Sequence, residues 1–304
     1  MVAGNRNKII HSIISHIHMV IPFTVSYSHF LAFCLRSNDN FNSCRALRRN
    51  QNSYHYTIMQ LLDHTTADKQ DLLTKMVDDG FYYTVMGLDK CLSYSSIKWL
   101  LKSPKWFAYK KRKPDPETQA LRDGRLVHAE ILEPQKYETF NFVDVSSKNT
   151  KKWKLAVEES GKANTFTLKE KYMNTRISTA FLQNDRCVSF MQGAETEVPA
   201  LEEIHGIPVR GKADIYKVGE FVADVKTTND GLKDVELKNG KVTNQFKFTI
   251  SKYDYDLQAY LYTQLFNVPD FYWLVIDKTT TDIGVFKASQ ETLQLGQLKL
   301  QAAM

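Results

Sequence analysis

Two aspartates and a lysine at close spacing are the residues best placed to do chemistry in this 304-residue chain. Over residues 209–216, Arg210, Lys212, Asp214 and Tyr216 alternate with Val209, Ala213 and Ile215, a period of two that predicts a strand with one buried face. The pattern returns with Phe221, Ala223 and Val225 against Asp224 and Lys226, and Gly219 lies between the runs, so residues 211–228 predict a hairpin. A turn about Gly219 sets Asp214 opposite Asp224 on one face, where like charges destabilise a sheet. A hard divalent cation such as Mg²⁺, with Mn²⁺ the alternative, would join them, because it prefers carboxylate, water and phosphate oxygens. Lys226 points to the same place. Ordinary charges on a solvated hairpin would give the same pattern, so the elements around the hairpin decide.

Two predicted helices and a short strand bear on it. The stretch at 120–132, ALRDGRLVHAEIL, places His128 on a helix, with Gly124 one turn earlier leaving room for close approach. Imidazole is a common metal ligand. Downstream, Leu257, Leu261 and Leu265 share one helical stripe, and Gln258 and Tyr262 share another. Glu195 and Glu197 fall in a strand-like run leading into the hairpin. Taken singly, His128 also reads as a core histidine, and Gln258 and Tyr262 as partners of nearby backbone.

Gly-x-x-x-His, Gly-x-x-Asp, Asp-x-Lys and Gln-x-x-x-Tyr follow one another in that order. In this the chain resembles the RecB-like nucleases of the PD-(D/E)XK superfamily, the phage and bacterial exodeoxyribonuclease VIII-like members above all, over about residues 76–288. The resemblance implies an α/β fold with a central mixed sheet flanked by helices, a restriction-endonuclease-like core. It also implies an Mg²⁺-dependent exodeoxyribonuclease that hydrolyses phosphodiester bonds from the ends of duplex DNA, in recombination or phage replication. Asp214, Asp224, His128 and the carbonyl of Val225 would hold one or two ions, and Glu197 matches the position of an additional acidic residue. Lys226 would serve the water or the phosphate, and Gln258 and Tyr262 would orient the hairpin. DNA, a single-strand annealing or recombinase protein, and further copies of the chain are the partners implied. Some relatives carry an iron–sulfur cluster bound in part by a Cys-Pro pair; Ser103-Pro104 stands here instead, so no cluster is expected. Two other functions stay open: a catalytically silent DNA-binding module on the same fold, and a site-specific endonuclease.

Composition agrees without deciding. A 43% hydrophobic content can fill a sizeable core, in one large domain or two small ones, and a net charge of +6 with a pI near 8.9 favours an anionic partner. Cys34, Cys44, Cys91 and Cys187 form no Cys-x-x-Cys pair, which signals neither zinc nor disulfides and points to a reducing, cytoplasmic setting. Residues 92–109 predict a helix opened by a serine cap and closed before Pro104. Lys102, Lys105, Lys110, Lys111 and Arg112, with Lys98 and Lys113, are candidate nucleic-acid contacts, and Trp99, Trp106, Phe107 and Tyr109 candidate stacking partners. A solvated basic face with aromatic anchors in the core is the competing reading.

The remaining stretches supply scaffold. Glu130 and Glu133 are expected to face solvent, and residues 146–154 to form a Lys-rich flexible loop. Thr167 and Glu170 have capping-box spacing for a helix running to about Leu182. Residues 229–251 read as an insertion, either a substrate-contacting flap or a surface loop. Residues 271–276 and 283–286 predict two strands around a Thr-rich turn, and the tail from Glu291 predicts a helix that stops early.

Residues 76–304 are expected to form the nuclease-like domain, with Met76 a natural start. Residues 1–75 are expected to be a poorly ordered or loosely packed extension outside the family resemblance. Its run from 9 to 35 lacks Lys, Arg, Asp and Glu, but His11, His16, His18, His29 and Pro22 argue against a membrane span; an anchor is the second reading. A signal peptide is disfavoured because no small-residue cleavage site is evident.

Overall fold

The computed structural model describes residues 66–304 apart from position 89, and the expectations for the run at 9–35 lie outside them. The helices are α1 (Thr66–Met76), α2 (Tyr94–Lys102), α3 (Pro104–Arg112), α4 (Gln119–Leu132), α5 (Pro134–Glu138), α6 (Lys151–Ser160), α7 (Leu168–Leu182), α8 (Asp185–Met191), α9 (Phe246–Tyr253), α10 (Tyr255–Phe266) and α11 (Gln290–Ala303). The strands are β1 (Asn141–Val143), β2 (Thr165–Thr167), β3 (Glu195–Ile204), β4 (Ile207–Lys217), β5 (Phe221–Thr228), β6 (Asp234–Glu236), β7 (Val242–Asn244), β8 (Asp270–Asp277) and β9 (Ile283–Lys287).

The period-two runs become β4 and β5, paired antiparallel with Ile215 opposite Ala223 and Lys217 opposite Phe221 around a turn at Gly219. They lie inside a five-stranded sheet of order β3-β4-β5-β8-β9, in which β5 and β8 run parallel and the other pairs antiparallel. This is the mixed sheet flanked by helices that the motifs implied. Side-chain alternation gives each face a different cover. Ile215, Ala223, Val225, Leu274 and Ile276 pack with Val127, Ile131, Ile177 and Phe181 of α4 and α7. On the opposite face lie Phe271 and Trp273, and Tyr262 of α10 meets Phe271 edge-on at 6.1 Å.

Helix α10 is buried along its length, Gln258 and Tyr262 as well as Leu257, Leu261 and Leu265. It is pressed to the sheet by α11, and the closeness depends on Gly296: a Cβ there would lie 2.1 Å from the Asp256 carbonyl oxygen. Lys299 of α11 reinforces the contact with ion pairs of 2.8 Å to both Asp254 and Asp256. Helix α1 contributes Leu72, Leu73 and Met76 to a cluster with Tyr82, Met86, Cys91 and Leu201 of β3.

Several local expectations need correction. Residues 92–109 form two helices, because Ser103 is extended and its Oγ accepts the Trp106 N–H at 3.0 Å, so Pro104 opens α3 instead of closing the segment. Residues 146–154 are partly helical: Thr150 caps α6, which buries Trp153 and Ala156 against Val143. Glu130 accepts from Ser178 at 2.6 Å and from Thr175 at 3.1 Å, so it joins α4 to α7 and does not face solvent. The 229–251 insertion is built, holding the β6–β7 hairpin and the start of α9. The Thr167–Glu170 capping box forms as predicted. Among the described residues no helix is long and apolar enough to cross a membrane.

Gly296→Ala should push α11 from α10 and destabilise the fold by ~2 kcal/mol, lowering the melting temperature by about 5 °C in a thermal scan. A neighbouring surface change such as Gln297→Ala should leave it within a degree or so, about the ±0.5 kcal/mol of ordinary surface substitutions.

Candidate active site

The chemistry collects where β3, β4 and β5 stop pairing regularly. Continuing the β4–β5 register places Asp214 opposite Asp224, and continuing the β3–β4 register places Glu197 opposite Asp214, but neither pair is made. Two features hold the strands open. Asp214 Oδ2 accepts the Val225 N–H at 2.7 Å, taking a donor that a regular ladder would use. Glu197 sits in the left-handed region at φ 53° within β3, a conformation that costs a non-glycine residue about 1–3 kcal/mol and collects at functional sites.

His128 enters this gap from α4. Its Nε2 is 2.7 Å from the Val225 carbonyl oxygen, which can only accept, so Nε2 carries the proton. Its Nδ1 lies 3.5 Å from Asp214 Oδ2. One ligand atom each from His128, Glu197 and Asp214 lies within 4.8 Å of the others. The Val225 carbonyl oxygen, bonded to His128, retains a second lone pair. This donor set fits a divalent cation.

Asp224 is positioned differently. It is nearly fully buried; Oδ1 accepts from Gln258 Nε2 at 2.6 Å, and Oδ2 pairs with Lys226 Nζ at 2.6 Å. Burial alone would depress the Lys226 ammonium, but Asp224, with smaller help from Tyr255 and Asp214, outweighs it and holds the group above the ordinary lysine range. Lys226 therefore stays a cation at neutral pH. Tyr262 touches no carboxylate: its hydroxyl donates to the Lys212 carbonyl at 3.2 Å, and it packs above Gly211, where a Cβ would meet Leu265 at 2.8 Å. Thus Gln258 fixes the β5 carboxylate and Tyr262 the β4 backbone, from one face of α10.

The carboxylates are crowded. Burial, then the charge of Asp214, raises Glu197 to about 8. Burial also raises Asp214, to about 6, with His128 pulling down and Asp224 pushing up. Around Glu197 lies a network invisible in the sequence: Asp79 pairs with Lys212 at 2.7 Å and Lys136 at 2.5 Å, and Lys136 reaches Glu133 at 2.9 Å. Only Lys212 had a signal, its place on the polar face of the hairpin.

The basic stretch divides between anchor and surface. Lys102, Lys105, Lys111 and Arg112 are exposed, whereas Lys110 is half-buried and pairs with Asp115; Lys102 and Lys110 lie 5.1 and 4.9 Å from the Trp106 ring centroid. Trp106 stacks on Tyr109 at 5.5 Å and Phe107 is buried, so part of the aromatic set is packing. Lys98, one turn before Lys102, is depressed by burial; Asp254 opposes that and Lys226 adds to it, which links α2 electrostatically to the site.

The crowding has a measurable consequence in a chelator. Glu197 and Asp214 titrate near 4 when unfolded. Their folded values are raised, so the folded state binds more protons and loses stability as pH rises from about 4 to about 8. Melting temperature in EDTA should therefore fall between pH 5 and pH 8, Glu197→Gln should remove most of the slope, and excess Mg²⁺ should restore stability most strongly at pH 8.

Comparison with known proteins places this arrangement. The crystal structure of a "Putative exonuclease" from Eubacterium rectale superposes with a TM-score of 0.53 at 16% identity, covering 74% of this chain and 82% of that one, which shows the same fold. A phage related exonuclease from Haemophilus somnus 129PT covers 70% of this chain and 91% of its own at 13% identity, but its TM-score of 0.29 carries no argument. A search of curated protein sequences returns no match. The family model described as a PDDEXK-like domain of unknown function (DUF3799) matches residues 93–304, and the chain therefore belongs to that family.

Proposed function

We propose that the chain is a divalent-metal-dependent deoxyribonuclease. The observation that carries this reading is three potential ligands, His128, Glu197 and Asp214, within 4.8 Å of one another beside an Asp224–Lys226 pair of 2.6 Å. A binding module has no use for buried carboxylates forced together, because each one repels phosphate. His128, Glu197 and Asp214 would hold Mg²⁺ or Mn²⁺, with Asp224 and the Val225 carbonyl as further donors. When bound, the ion supplies Lewis acidity toward phosphate oxygens and lowers the pKa of a water molecule.

The chain's own groups do the rest. Lys226, kept charged by Asp224, offsets the negative charge that develops on the phosphate as it is attacked. Gln258 holds Asp224 in the orientation that keeps Lys226 in place. Tyr262 ties α10 to β4 and so fixes Asp214 relative to Asp224. His128, anchored on the Val225 carbonyl, presents Nδ1 to the same centre as Asp214. The exposed cations Lys102, Lys105, Lys111 and Arg112, with Lys110, follow the phosphate backbone.

End-dependent digestion of duplex DNA, in recombination or phage replication, is the specific activity we propose. A single-strand annealing or recombinase protein and further copies of the chain are the proposed partners. Linear duplex with Mg²⁺ should be degraded to nucleotides, and closed circular DNA should resist; equal cutting of both would make it an endonuclease. Lys226→Ala should lower the rate about 100-fold or more, and Gln258→Ala about 10- to 100-fold. Binding in EDTA with no cleavage on adding Mg²⁺ or Mn²⁺ would make it a silent module.

A further inference from the structure

Beside Lys226 a file of aromatic rings passes over the buried Phe246 and reaches the surface. Phe286 of β9 stacks on Phe246 at 4.8 Å and 27°. Phe246 faces Tyr255 at 6.3 Å and 35°, and Tyr255 faces Tyr253 at 5.6 Å and 30°. From Phe246 outward exposure rises: Phe246 is buried, Tyr255 half-buried, and Tyr253 is 40% exposed. The third ring touches the site, for Lys226 Nζ lies 5.0 Å from the Tyr255 centroid.

The backbone fixes the outer two rings. Asp254, between them, is left-handed at φ 58° and serves as C-cap of α9 and N-cap of α10, so the chain turns sharply and keeps both rings in one file. Lys299 holds the Asp254 carboxylate, and the Tyr94 hydroxyl donates to the Tyr253 carbonyl at 2.6 Å. Core packing behind and these bonds at the side leave Tyr253 a supported, outward ring. Cations surround it: Lys252 lies 4.9 Å from the Tyr253 centroid, Lys98 lies 5.2 Å from that of Tyr94, and Lys226 is one ring inward.

We propose that Tyr253 is a stacking platform for a nucleobase adjoining the scissile phosphate, so that the substrate strand enters the site locally unpaired. A base extends the file by one ring, while the lysines face the flanking phosphates; aromatic faces beside a cationic groove are how unpaired strands are held without regard to sequence. A single exposed cation–π contact is weaker than base–aromatic stacking, so Lys252 yields the ring to a base. A paired base offers no free face to the ring. This inference rests on the nucleic-acid reading of the site, and it adds what part of the nucleic acid the site grips.

The test uses the full-length chain and a short single-stranded oligonucleotide with 2-aminopurine at its terminal position, in Ca²⁺ to fill the carboxylate site without turnover. Binding should quench the fluorescence. Tyr253→Ala should abolish the quench and weaken binding by about 5- to 100-fold, whereas Tyr253→Trp should keep both. Tyr253→Leu, which keeps apolar bulk without a π face, should behave as the alanine variant and guards against a folding artefact. A quench unchanged in the alanine and leucine variants overturns the proposal, as does binding by the parent without any quench. Mg²⁺-dependent cleavage is scored separately: a chain that quenches through Tyr253 but never cuts keeps the platform and loses the nuclease reading, and one that cuts with a quench indifferent to Tyr253 does the reverse.

Discussion

Carboxylates held closer than their charges favour are the constraint on which this structure turns. Glu197, Asp214 and Asp224 occupy successive positions across three strands, where a regular sheet would set them face to face. The strands part instead, with one side chain capping a backbone amide and one residue forced into a left-handed conformation. The local energy is unfavourable, and the rest of the fold has to sustain it.

The sustaining parts are apolar. Leu274, Ile276, Val225 and Ala223 fasten the sheet to α4 and α7, so His128 is delivered to the gap by helix packing and not by its own interactions. On the other face α11 locks α10 down, which sets the reach of Gln258 to Asp224. Burial then acts twice. It raises the acids, making the cluster receptive to a cation, and it strengthens the Asp224–Lys226 attraction enough to keep the amine charged. One low-dielectric setting thus prepares both an ion site and a fixed positive charge.

Membership of the DUF3799 PDDEXK-like family and the fold shared with the Eubacterium rectale protein agree with this geometry. The aromatic file behind Tyr253 adds a feature outside the four motifs. It ties the insertion after β5 to the site, since α9 ends on the exposed ring.

The sequence by itself determined the hairpin, the shared polar face of Asp214 and Asp224, and the helical faces of His128, Gln258 and Tyr262, because each is written as a period of two or of three to four within one segment, and the order of the motifs implied the mixed sheet through their resemblance to a known family. It placed Pro104 wrongly, as a stop, because a proline ends one helix and begins another with equal ease, and only the Ser103 cap distinguishes them. It set Glu130 in solvent, because its partners Thr175 and Ser178 lie on a helix whose docking no local pattern reveals. Tertiary structure alone decided that Asp224 answers to Gln258 and Lys226 while Glu197 draws in with Asp214 and His128. It likewise decided that Asp79 and Lys136 crowd around them and that four rings align beside Lys226. Such contacts join residues up to 133 positions apart, and their geometry is fixed by how helices pack on the sheet, which spacing along the chain does not encode.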